Sequence, residues 1–99
     1  MDKRLFKIAN HYGLDSQLDM LQEECAELIQ AVSKYKRNGS SGIVEEMADV
    51  FIMLNQVIYL LNKENTAVDV DVFINLWMEK KIRRQLERIE SEGDSDGTG

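Results

Sequence analysis

Five acidic residues in two groups are the part of this sequence equipped for chemistry. Glu23, Glu24 and Glu27 form Glu-Glu-x-x-Glu, and after eighteen further residues Glu46 and Asp49 form Glu-x-x-Asp. Residues three apart on a helix share a face, with Cβ atoms about 5–6 Å apart, so each group can turn two carboxylates towards one point. Desolvated carboxylates repel one another and take up protons in preference to staying charged. A divalent cation that prefers oxygen ligands removes that cost, and Mg2+ favours carboxylates together with phosphate oxygens. A solvated acidic face repeating at this spacing is the other reading. On the residues by themselves both stay open.

The elements that must position these acids read as helices. From Leu18, apolar residues recur at Leu21, Cys25, Leu28, Val32 and Tyr35 in steps of three and four, the seam of a helix bundle. At about 100° per residue, Met20, Glu24, Glu27 and Ala31 form a second column beside that seam, while Glu23 points further round. In the next segment Glu46, Asp49, Met53, Gln56 and Leu60 form the matching column. Both acidic groups are thereby expected at the edge of a core, with Gln56 placed to hydrogen-bond a ligand residue from behind.

A short N-terminal helix is expected over residues 3–12, ended by Gly13. Ser16, with Asp19 three residues on, reads as a capping box for the second helix. That helix should reach about Arg37 and break at Asn38-Gly39-Ser40-Ser41-Gly42. The third runs from near Ile43 to Leu61 or Asn62 and is apolar all round, which marks a helix enclosed by others. Val68-Asp-Val-Asp-Val72 alternates like a strand but has no partner strand, so Asp69 or Asp71 is expected to cap a fourth helix from about Val72 to Glu90. Phe73, Ile74, Trp77, Ile82, Leu86 and Ile89 form its apolar face, with Trp77 expected in the core. The fold class is all-α: a bundle of about four helices, with a short first helix, two long motif-bearing helices and a C-terminal helix.

The 99 residues make one domain at most, placed over residues 1–90, with the acidic, glycine-containing stretch 91–99 read as a disordered tail. So small a chain buries a modest share of its surface, and a homodimer or homotetramer is expected to complete the core. Of the net charge of −6, residues 87–99 contribute −4 through five acids and one base. The body has no basic excess to attract a nucleic-acid backbone, so nucleic acid is not an expected partner. Cys25, the single cysteine, has no internal disulfide partner. No signal-peptide region opens the chain and no apolar run approaches membrane-spanning length, so a cytoplasmic protein is expected.

Glu23-Glu24-x-x-Glu27 followed by Glu46-x-x-Asp49, with Gln17-Leu18 ahead of the motif and Ala48-Asp49-Val50 entering a long apolar helix, resembles the MazG-like, all-α nucleoside triphosphate pyrophosphohydrolases. The resemblance covers roughly residues 12–62 well and the C-terminal helix loosely. It implies Mg2+, or Mn2+ in its place, held by Glu24, Glu27, Glu46 and Asp49, with Glu23 orienting a water or a ligand. It implies water attack at the α-phosphorus of a (deoxy)nucleoside triphosphate, giving the monophosphate and pyrophosphate. By the same similarity Lys81 and Arg84 of the C-terminal helix are expected at the phosphates. Asn75 is a candidate polar contact at the pocket rim, and His11 reads as an exposed cap residue. Two readings from other classes stay open. One is a non-catalytic helical oligomer or adaptor, including a degenerate family member. The other is a di-iron or di-manganese carboxylate bundle, although such sites use Glu-x-x-His and His11 lies on no such motif.

Overall fold

The computed structural model describes residues 2–39 and 42–98, with side chains as far as residue 93. Its helices are α1 (Lys3–Tyr12), α2 (Leu14–Asn38), α3 (Ile43–Glu64) and α4 (Val70–Thr98), and the described residues form no strand. The chain divides into two compact units, Met1–Val68 and Asp69–Gly99.

Local chemistry sets the helix ends. Asp2 caps α1: its carboxylate accepts from the Arg4 backbone N–H at 2.9 Å and from the Arg4 Nε at 3.0 Å. Gly13, at φ 85°, both closes α1 and opens α2, a backbone angle that glycine adopts at little cost. The capping box expected at Ser16 does not form, because α2 begins earlier. Gly13 is its N-cap, and the Gly13 carbonyl already accepts from the Gln17 N–H at 3.0 Å, which leaves Ser16 inside the helix. Gly39, at φ 73°, ends α2 with its N–H donated to the Tyr35 carbonyl at 2.8 Å. Ser40 and Ser41 of the expected break lie outside the described residues.

In the first unit α2 packs along α3, and α1 lies mainly on α3. The Phe6 and Tyr59 rings stack with centroids 4.3 Å apart. Beside them Asn10 Nδ2 donates to the Tyr59 hydroxyl at 2.8 Å, and Lys63 Nζ donates to Asn10 Oδ1 at 2.7 Å. The buried apolar residues are Ala9, Ala31, Met53, Val57 and Leu60, a thin core for three helices.

The register of α2 differs from the one expected. Its inward stripe is Gln17, Leu21, Glu24, Leu28 and Ala31, in steps of four and three, and all five are buried or half-buried. Leu18, Val32 and Tyr35, which the sequence placed on the seam, are exposed, and Cys25 is half-buried at its margin. Small Ala31 lets the backbones approach, and the stripe it belongs to carries Glu24 into the contact itself. On α3 the inward column is the expected one, Glu46, Asp49, Met53, Gln56 and Leu60. Much of the rest of α3 is not enclosed within its unit: Val57 is buried, but Val44 and Phe51 stand 76% and 67% exposed.

The second unit is α4. The Asp69 carboxylate accepts from the Asp71 N–H at 3.0 Å, and its carbonyl accepts from the Phe73 N–H at 3.3 Å, so Asp69 is the cap and the helix starts at Val70. It continues past Glu90 to Thr98, and no proline interrupts it. Trp77, expected in a core, is 56% exposed, with Lys80 and Lys81 ammonium groups 5.2 and 5.9 Å from its ring centroid. A single helix has no layer within its own unit in which to bury that face. No described helix is long and apolar enough to cross a membrane.

Candidate metal centre

Glu24, midway along α2, meets Glu46 and Asp49 from the first two turns of α3. Each offers one carboxylate oxygen, the three oxygens all lie within 4.8 Å of one another, and each residue is half-buried. The i, i+3 spacing aims Glu46 and Asp49 the same way, and the rotated register of α2 sets Glu24 opposite them. No other such group forms among the described residues.

The electrostatics of the site are those of unneutralised acids. Partial burial lifts the Glu24 carboxyl above its ordinary value, and the charges of Asp49, Glu46, Glu27 and Glu23 lift it further. Glu46 is raised by the same causes, burial first and then the charges of Asp49, Glu27 and Glu45. All the charges acting on these two groups are carboxylates. Both carboxyls therefore hold protons more tightly than a free glutamate does.

The remaining expected site residues fall outside this trio. Glu27 is exposed; its charge reaches both Glu24 and Glu46, yet it is not a member of the group. Glu23 is exposed as well, and its charge acts on Glu24. Asn75, Lys81 and Arg84 belong to α4 in the second unit, where all three are exposed. His11 is exposed, with its ring edge-on to Tyr12 at 4.7 Å.

The donor set fits a particular class of ion. Three hard carboxylate oxygens, partly desolvated and mutually repelling, suit Mg2+ or Mn2+ and offer no soft ligand for zinc or copper. No histidine belongs to the group, so the Glu-x-x-His ligation of di-iron bundles is not built there.

A second polar feature lies two turns from the acids, before Glu24 on α2 and after Asp49 on α3. Gln17 on α2 and Gln56 on α3 are both buried, and both line a cavity of about 340 Å3 that lies between α1, α2 and α3 and opens to solvent. Among the described residues their Oε1 atoms are buried with no hydrogen-bond partner. Gln17 shares the stripe of Glu24 seven residues on, a relation that emerges only once the register of α2 is corrected.

No curated protein and no solved structure matches the chain significantly. A family model described as the MazG nucleotide pyrophosphohydrolase domain matches residues 13–89, which takes in both acidic motifs and most of α4. With that match running over the greater part of its length, the chain belongs to the MazG nucleotide pyrophosphohydrolase domain family.

Proposed function

We propose that the protein hydrolyses a (deoxy)nucleoside triphosphate to the monophosphate and pyrophosphate, using Mg2+ held at Glu24, Glu46 and Asp49. The observation that carries this reading is the meeting of three half-buried carboxylates in a chain of this family. In the reaction the oxygen of water bonds to the α-phosphorus, the bond from that phosphorus to the oxygen bridging the β-phosphate breaks, and pyrophosphate departs with that oxygen. Bound Mg2+ supplies positive charge for the phosphates and lowers the pKa of a coordinated water.

The chain's own groups have separate tasks. Glu24, Glu46 and Asp49 supply ligand oxygens, and their mutual repulsion makes the metal-free site eager for a cation. Glu27, adjacent and exposed, joins them as a fourth ligand, and Glu23 orients a water or ligand from outside. Lys81 and Arg84 offer exposed cationic groups for phosphate oxygens, and Asn75 an amide. Mn2+ substitutes for Mg2+. The exposed apolar side chains of Ile29, Val44 and Phe51 support a homodimer or homotetramer, and the substrate class fits a cytoplasmic protein.

The test is pyrophosphate release from a panel of common and damaged nucleoside triphosphates, with Mg2+, with Mn2+ and with chelator. Metal-dependent release from at least one of them is expected. A panel that yields no pyrophosphate at micromolar protein would leave a non-catalytic helical oligomer as the better reading.

A further inference from the structure

Gln17 is 3% exposed and Gln56 2%, and each buries an Oε1 that accepts no hydrogen bond. A buried amide oxygen left without a donor is destabilising, and the great majority of such groups in folded proteins are satisfied. Leucine or methionine would fill the same space without that cost. The two glutamines line one cavity of about 340 Å3, at the small end of the roughly 300–1,000 Å3 typical of ligand pockets. Its other walls include Ile8, Met20, Ile52 and Met53, with the exposed ring of Tyr12 beside them. Apolar walls around two unfilled acceptors are the chemistry of a site for a flat heterocycle that presents N–H groups.

The cavity adjoins the carboxylate trio. Met20 precedes Glu24 by four residues on α2, and Met53 follows Asp49 by four on α3, a step of about 6 Å at 1.5 Å per residue. A ligand anchored at the trio by its phosphates therefore brings its other end to the cavity.

Resting on the pyrophosphohydrolase reading, we propose that this cavity receives the nucleobase and that Gln17 and Gln56 select which base enters. Their Oε1 atoms accept from amino and ring N–H groups, which favours cytosine, adenine or guanine. Thymine and uracil present two carbonyl oxygens flanking a single N–H, and those lone pairs face the glutamine oxygens unfavourably.

Two measurements on the full chain in Mg2+ buffer test this. The first is kcat/KM for each common deoxynucleoside triphosphate, for the wild type and for Gln56→Met and Gln17→Met. An amino-bearing base should lead thymine and uracil by about tenfold or more, the scale of a hydrogen bond lost to a buried group. Each variant should raise KM for the preferred base and narrow its lead over thymidine triphosphate, whereas general damage to the fold would lower kcat/KM for every base alike. The second follows the side-chain amide NMR signals of Gln17 and Gln56 as deoxynucleoside monophosphates are added, and needs no turnover. Shifts with amino-bearing monophosphates in a protein that hydrolyses nothing would overturn the pyrophosphohydrolase reading and uphold the base site. Hydrolysis with equal kcat/KM for all bases, or with unmoved amide signals, overturns the base site alone.

Discussion

Glu24 on α2 and Asp49 on α3 bring carboxylate oxygens within 4.8 Å of each other from opposite sides of the helix contact, with Glu46 completing the group. Asp49 is the strongest of the charges that raise the Glu24 carboxyl, so in metal-free protein this is a repulsive contact built into the packing.

Removing one charge from that contact should therefore relieve the fold and disable the site. Glu24→Gln and Asp49→Asn are expected to melt, without metal, at the wild-type temperature or above it. Loss of a ligand oxygen should lower pyrophosphate release by at least about a hundredfold. Calorimetry in chelator beside an activity assay checks both halves. A large fall in metal-free Tm for either variant would mean that the acids form a structural network instead.

The same repulsion gives stability a definite pH dependence. Below the ordinary glutamate value of 4.5, Glu24 and Glu46 are protonated in folded and unfolded chains alike and cost nothing. As pH climbs beyond 4.5 the unfolded chain ionises first, so the folded state loses stability until the raised folded values are passed. Metal-free Tm should therefore fall over that window and then level off as far as these two groups are concerned. Mg2+ should reverse the loss at neutral pH and do little at pH 4, where protons compete for the same oxygens. Ligand at a hundred times its Kd stabilises by about 2.7 kcal/mol, a shift that thermal melts resolve readily. A Tm indifferent to Mg2+ at pH 7.5 would refute the metal centre.

How much of this could be read beforehand differs from helix to helix. On α3 the column from Glu46 to Leu60 was legible because its polar members, Glu46, Asp49 and Gln56, mark one line on a helix that is otherwise apolar all round. On α2 two stripes compete. The one through Leu18, Val32 and Tyr35 is the more apolar, but the one through Gln17, Glu24 and Ala31 is buried, because close approach of two backbones favours a small residue at the contact. That choice belongs to tertiary packing, and periodicity along one helix does not contain it. The start of α2 was misread for a related reason. Ser16 and Asp19 satisfy the local pattern of a cap, yet Gly13 already supplies the turn. On α4 an apolar face was legible from Phe73 to Ile89, but the sequence says nothing of what covers it, and the expected burial of Trp77 does not occur within its unit.

Ala9 is 0% exposed on a helix that otherwise holds to α3 through the Phe6–Tyr59 stack and the Tyr59–Asn10–Lys63 hydrogen bonds. A larger side chain there has no room, and Ala9→Leu should cost about 1–3 kcal/mol by overpacking. Displacement of α1 also moves Ile8 and Tyr12, which border the cavity beside the glutamines. The variant should therefore weaken nucleotide binding more than Mg2+ binding, because the three carboxylates belong to α2 and α3 alone. Titration calorimetry with each ligand separates the two effects, and equal losses in both would contradict the placement of α1 as a wall of the cavity only.

The outer side of α2 and α3 leads to the last expectation. Leu28, Met47, Val50, Phe51 and Leu54 line an apolar hollow of about 270 Å3, and Val44 and Ile29 are exposed at 76% and 68%. An exposed apolar surface of this kind marks an interaction site, and the five buried apolar residues among those described are few to hold three helices. Self-association through this face would complete the core and so should stabilise the fold as well as join the chains. Phe51→Lys sets a charge in the middle of the face and changes nothing at the carboxylates. Sedimentation velocity at tens of micromolar should find the wild type as a dimer or larger, and the variant shifted towards monomer with a lower, concentration-independent Tm. A wild type that sediments as a monomer at that concentration would show that the face serves some other partner.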